Sequence, residues 1–303
     1  LPVSDLAAIF LNVLTPVFAL VLLGRFAGPR LGLQARTLSR VAYYLLAPGF
    51  VFGVLGTARV EGALAARMVA YILIVQVGCA VVGFLVARLL GRPAKVAAAY
   101  ILIATFANVG NFGLAIVRFA LGDEATVAAT IYYVAISTSS FAIGVAAANW
   151  VKGGGMGALI AVLKTPAVLA LPPALGLNLL NIPLPPFLLR PAELLGAAMI
   201  PTMLLGLGVQ FSESGFPRPN LDMFAASAVR LVLAPALAVV VAIPFGLVGL
   251  PRDAGIIQAS TPAAVFAAII ALEHDLLPEF VTATVLLSTA ASVITMAVVL
   301  YLL

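Results

Sequence analysis

A chain of 303 residues in which 64% are apolar and only 9% charged has too little polar surface to coat a soluble globule, so it reads as a membrane protein. Its net charge of +5 comes from 16 Lys and Arg set mostly at the ends of apolar runs, where lipid headgroups explain them better than nucleic acid does. The single Cys79 lies inside an apolar run, which excludes a disulfide within the chain and reads as packing.

Runs of about 18 or more residues with few charges recur along the chain, each enough to cross roughly 30 Å of hydrocarbon. They are continuous and about twice the length of the alternating segments of a barrel, so the spans are helices. In chain order the predicted spans are 5–27, 37–57, 63–90, 95–121, 124–150, 156–179, 190–211, 221–248, 252–273 and 278–303. The first run lacks a basic leader and a small-residue cleavage site and is taken as a true span. Gly153-Gly154-Gly155 is the midpoint connection, dividing the chain into a first repeat over 1–151 and a second over 156–303.

Alternate loops differ in charge. One set holds ten Lys and Arg, running from Arg25 to Arg218, and the other holds five: Arg59, Arg67, Arg118, Arg190 and Arg252. The richer set is expected on the cytoplasmic side of a bacterial inner membrane, which puts both termini on the other side. With five spans in each half, the second half enters the membrane inverted relative to the first. Weak internal similarity agrees. Pro48 and Gly53 have the spacing of Pro201 and Gly206, Val127–Thr130 resembles Val281–Thr284, and at that last offset Asn108 falls opposite Pro262.

Two spans carry helix-breaking residues near their centres, Ala107-Asn108-Val109-Gly110-Asn111 in the fourth and Ser260-Thr261-Pro262-Ala263-Ala264 in the ninth. Unpaired backbone in hydrocarbon costs several kcal/mol, so a break is tolerated only against protein or a wet cavity. Repeated broken spans at corresponding places mark a substrate site at mid-bilayer. If the breaks cross, the half-helices that follow aim their N-termini into one small volume, where a carboxylate would be held by backbone N–H groups at Gly110 and by Asn108, Asn111, Ser260 and Thr261. The competing reading is a pair of ordinary kinks, of the kind that Pro48, Pro201 and Pro235 also produce.

A polar belt lies at similar depth: Ser137 to Ser140 in the fifth span, Ser288, Thr289 and Ser292 in the tenth, Gln76 in the third and Gln258 before the second break. Of these, Ser139 and Gln258 are candidate substrate contacts, against the alternative of helix-packing hydrogen bonds. Arg230 lies roughly 13 Å into the eighth span and is a candidate counter-charge for an anion. Arg118 and Lys164 lie nearer span ends and snorkel. His274 sits between Glu273 and Asp275 at a helix end, as a solvated trio rather than a metal site. No Asp or Glu lies at mid-span, so ion coupling would need neutral oxygens, a loop carboxylate or none at all. Nothing combines a nucleophile, a base and an orienting partner, so no enzyme, metal or cofactor is expected.

The stretches Phe106-Ala-Asn108-Val-Gly110-Asn111-Phe-Gly113-Leu, Lys164-Thr-Pro166 leading to Leu175-Gly176-Leu177, Ile200-Pro201-Thr-Met-Leu-Leu-Gly206-Leu-Gly208-Val and Gln258-Ala-Ser-Thr-Pro262-Ala resemble the auxin efflux carrier family, whose bacterial members include malonate-transporter-like proteins. The resemblance implies an all-α membrane protein of ten helices in two inverted five-helix repeats, with crossed broken helices four and nine. It further implies a scaffold of helices 1, 2, 6 and 7, a transport domain of helices 3–5 and 8–10, an elevator motion, an organic anion as substrate and a homodimer formed through the scaffold. The long central loop of plant members is missing here, so regulation by that loop and auxin as substrate are not expected. Two alternatives stay open: a sodium-coupled symporter of the bile acid carrier type and a membrane receptor that senses a ligand without transporting it.

Overall fold

A computed structural model describes residues 10–57, 61–152, 169, 173, 176, 177, 185–214 and 218–303. Of the predicted sixth span only Leu169, Pro173, Gly176 and Leu177 are described, and the Gly153-Gly154-Gly155 connection lies outside the described residues. Within them the chain is helical, with six helices long and apolar enough to cross a membrane. Their outer faces carry exposed apolar side chains, among them Leu22, Leu23 and Phe26 near the N-terminus and Val239 and Val240 in the second half. This is the surface of a multi-pass membrane protein, with lipid where a soluble protein would present polar groups.

The helices are α1 (Thr15–Arg30), α2 (Ala35–Val41), α3 (Ala47–Thr57), α4 (Gly62–Leu89), α5 (Ala94–Thr105), α6 (Leu114–Leu121) and α7 (Thr126–Lys152) in the first half. The second half holds α8 (Pro186–Ser214), α9 (Leu221–Ala228), α10 (Ala234–Ala242), α11 (Gly249–Ala259), α12 (Val265–His274) and α13 (Pro278–Leu302). Each predicted span other than the sixth has a helical counterpart, and the fourth and ninth are each two short helices with a gap between them.

Proline shapes several of these helices. Widened π turns at Phe10–Leu14, Ala42–Leu46 and Val229–Leu233 each end one residue before the position that precedes Pro16, Pro48 and Pro235. Proline brings no N–H and its ring presses on the carbonyl four residues back, so the turn opens and donors reach five residues back instead, as Ala47 N does to Ala42 O and Ala234 N to Val229 O. These prolines bend spans without dividing them. Glycine ends helices by a different route at Gly32 and Gly91, which take positive φ of 64° and 69°. The residue after each reaches back to the carbonyl five before it, Leu33 N to Gly28 O and Arg92 N to Ala87 O, both at 2.9 Å.

Two packing groups are visible. α1, α2 and α3 pack on α8, and the remaining helices pack on one another. The first group is joined at glycines: a Cβ at Gly24 of α1 would stand 2.2 Å from Leu205 O, and one at Gly208 of α8 would stand 1.9 Å from Val21 O. The groups meet where α8 passes the turn at Val109–Gly113 and where α3 passes α7.

Side-chain bonds fix which loops share an end. Arg92 pairs with Asp222 at 2.9 Å and Lys95 with Asp275 at 2.8 Å, while Ala35 N donates to Glu213 Oε1 at 3.0 Å. The loops after α1, α4, α8 and α12 therefore share one end. At the other, Tyr132 OH donates to Pro251 O at 2.7 Å, joining the starts of α7 and α11.

Candidate functional site

α5 stops at Thr105 and α11 at Ala259; the last bonds to carbonyls four residues back into them come from Phe106 N to Leu102 O and Ser260 N to Ile256 O, and the chain then leaves the helix through Ala107–Asn108 and Pro262–Ala264. The two gaps cross and pair as a short antiparallel bridge centred on Ala107 and Ala263. Asn108 N donates to Pro262 O at 2.8 Å and Ala264 N to Phe106 O at 2.7 Å, so each break supplies the partners that the other lost. These are crossed breaks, which kinks within continuous helices cannot form.

Polarity divides at this crossing. The carbonyl ends of α5 and α11 lie on one side of it. Arg230, fully buried in the turn before Pro235, donates to Ala104 O at 2.7 Å, to Thr261 O at 2.9 Å and to Ala259 O. Thr105 O accepts from Gln76 Nε2 at 2.9 Å and from Ser140 Oγ at 2.7 Å. Ser260 Oγ turns back to Ile256 O, and Thr261 Oγ1 to Gln258 O. Gln258 Nε2 reaches Ala129 O at 3.3 Å.

On the other side begin the helices that follow. Phe112 N and Gly113 N both bond Asn108 O, at 3.1 and 3.0 Å, so the N–H groups of Val109, Gly110 and Asn111 precede the first intrahelical bond, as do those at the start of α12. A cavity of about 60 Å³, room for the centres of several water-sized groups, opens against these ends. Asn108, Gly110 and Asn111 line it from one break and Ala264, Val265 and Phe266 from the other. Ser137, Thr138 and Ser140 of α7 add hydroxyls. Phe106, Phe141 and Phe266 form an aromatic wall, with ring centroids 5.4 and 5.5 Å apart in sequence. Ser39 of α2 and Met203 of α8 complete the lining from the other packing group.

Two polar atoms here are buried without a partner among the described residues, Asn108 Nδ2 and Thr138 Oγ1. Buried donors are seldom left so, and both residues belong to the cavity.

Of the candidate residues, Asn108, Gly110 and Asn111 therefore line the cavity. Ser260, Thr261, Pro262, Gln258, Ser139 and Arg230 do not. Ser139 bonds the carbonyls of Ala135 and Ile136 in its own helix. Arg230 serves main-chain carbonyls rather than facing the cavity as a counter-charge. Thr138 and the three rings carried only a weak signal in sequence: Thr138 is one of four adjacent hydroxyl residues, and which of them faces inward depends on the rotation of α7. Among the described residues no group of His, Cys, Asp and Glu could hold a metal ion.

Comparison with known proteins points to transport. Residues 155–300 match a family described as membrane transport protein. A protein of Methanothermobacter thermautotrophicus described as an uncharacterized transporter is 24% identical over 270 residues, covering 87% of each chain. Both descriptions name transport.

Proposed function

We propose that this chain, whose residues 155–300 match a family described as membrane transport protein, carries small organic anions, carboxylates such as malonate, by alternating access. The observation that carries this reading is Asn108 Nδ2, a buried donor without a partner among the described residues, set in a cavity at which two half-helices begin. Such ends favour a negative guest, and their dipoles act at full strength where water is scarce. The carboxylate sits against Asn108 and the N–H groups of Val109, Gly110 and Asn111, and the apolar remainder of the anion against the three phenylalanine rings.

Ser39 and Met203 approach this cavity from the group of α1, α2, α3 and α8, whereas its remaining walls come from the other helices. This division supports reading the movement as an elevator: the second group slides along the first and carries the crossover, with its guest, from one membrane face to the other. In this reading the two halves are inverted repeats, the first group is the scaffold and the second is the transport domain.

Purified protein in liposomes is expected to move labelled malonate. Asn108→Ala lowers that flux by at least about tenfold, the worth of one hydrogen bond to a charged group, and leaves the thermal midpoint close to that of the wild type. Full flux in Asn108→Ala removes the crossover from the mechanism. Saturable malonate binding with no flux in the wild type makes the protein a sensor instead.

A further inference from the structure

Among the described residues Arg230 is the most deeply buried ionised side chain, and its acceptors are main-chain carbonyls alone: Ala104 and Ala259 at the ends of α5 and α11, and Thr261 just beyond. A helix leaves its last carbonyls without N–H partners, and each C-terminus carries roughly half a negative charge. Two such ends meet here from opposite sides of the membrane, and together they balance about one guanidinium. Carbonyl ends of broken membrane helices are also the groups that bind a small cation such as Na⁺ in transporters. The same oxygens cannot serve both.

We infer that Arg230 is the resident counter-cation of the crossover: it occupies the place that a coupling cation would take between the two carbonyl ends, so the anion crosses without a cation bound there. This rests on the transport reading above and decides one of its open points. The carbonyl side of the crossing is neutralised by a charge fixed to the chain. The N–H side keeps its partial positive charge for the guest. Arg230 is thus a positioning residue, since it holds the two half-helix ends together and touches no substrate.

The test uses the full chain, and its first reading needs no substrate. The thermal midpoint of the purified wild type is compared in NaCl and in choline chloride of equal ionic strength, and the two are expected to coincide. Arg230→Ala is expected to lower the midpoint and to gain a saturable stabilisation by methylguanidinium or Na⁺ over choline, which the wild type lacks. Arg230→Lys, which keeps the charge but loses the planar fork, falls between them and serves where Arg230→Ala does not fold. Malonate uptake by wild-type liposomes is expected to be equal with and without a sodium gradient. A saturable Na⁺ stabilisation of the wild type, a sodium requirement for its uptake, or an Arg230→Ala protein as stable as wild type and blind to cations overturns the inference. If the wild type moves no malonate, the substrate assignment fails while the cation-dependent midpoints still decide the role of Arg230.

Discussion

Asn108 gives its main-chain N–H to the carbonyl of Pro262 at 2.8 Å, and so residues from opposite halves of the chain satisfy each other at the one depth where neither has a helix to belong to. Phe106 and Ala264 repeat the arrangement with the reverse sense of donation at 2.7 Å. One donor of the second break is met differently: Ala263 N reaches Ser288 Oγ of α13 at 3.2 Å.

Ser288→Ala therefore strands a buried N–H and is expected to cost about 1–3 kcal/mol. Ser292→Ala, at a hydroxyl that only returns to Thr289 O of its own helix, is expected to cost about 0.5 kcal/mol or less. Denaturant or thermal unfolding in one detergent distinguishes them, and equal effects would mean that Ser288 does not support the break.

Thr138 Oγ1 has no partner among the described residues, so exchanging the hydroxyl for a methyl removes no bond among them. Thr138→Val is expected to hold stability within about 0.5 kcal/mol, or to raise it. If the hydroxyl donates to the bound carboxylate, the same variant raises the malonate KM by roughly 10-fold or more. Unchanged KM assigns Thr138 to the wall and not to the guest.

Two glycines separate by what a methyl group would strike. At Gly113 a Cβ would meet Gln258 Oε1 at 1.9 Å, the mobile end of a side chain, whereas at Gly208 it would meet Val21 O at the same distance, a main-chain atom. Gly113→Ala is expected to cost about 1–3 kcal/mol, and Gly208→Ala more, because backbone can yield only by parting α1 from α8. Adding Gln258→Ala to Gly113→Ala should recover part of the first loss. Thermal midpoints of the single and double variants check the coupling.

Of the two interloop ion pairs, Arg92–Asp222 is the more sheltered, with Asp222 24% exposed and further held by Tyr100 OH at 2.9 Å, whereas Asp275 in the pair with Lys95 is 79% exposed. A double-mutant cycle is expected to give about 0.5–1 kcal/mol for the first pair and near zero for the second, both shrinking in high salt. A larger coupling for Lys95–Asp275 would contradict this ranking.

Much of the architecture is legible in the sequence because hydrocarbon leaves the backbone few choices. Long apolar runs give the spans, and Asn108, Gly110 and Pro262 mark the breaks because these residues release a helix where others continue it. Which side of a break faces the guest is not written there. Ser260 and Thr261 look as able to bind an anion as Asn108 does, yet they close onto their own helix because they precede the crossing and so meet carbonyl ends. Depth in the membrane was readable for Arg230 from its count along the span, but its partners depend on how the turn before Pro235 rotates it. Ser39 and Met203 enter the cavity from remote helices through tertiary packing alone.

The contact at Gly24 and Gly208 is made of main chain against main chain, without side chains between. A seam of that kind has no rotamers to exchange and no ridges to step over, so it offers no second resting position. Sliding surfaces in proteins need alternatives of equal fit, and this joint has a single one. Moving α1 along α8 would drive main chain into main chain, so these two helices are expected to keep their places beside each other during turnover.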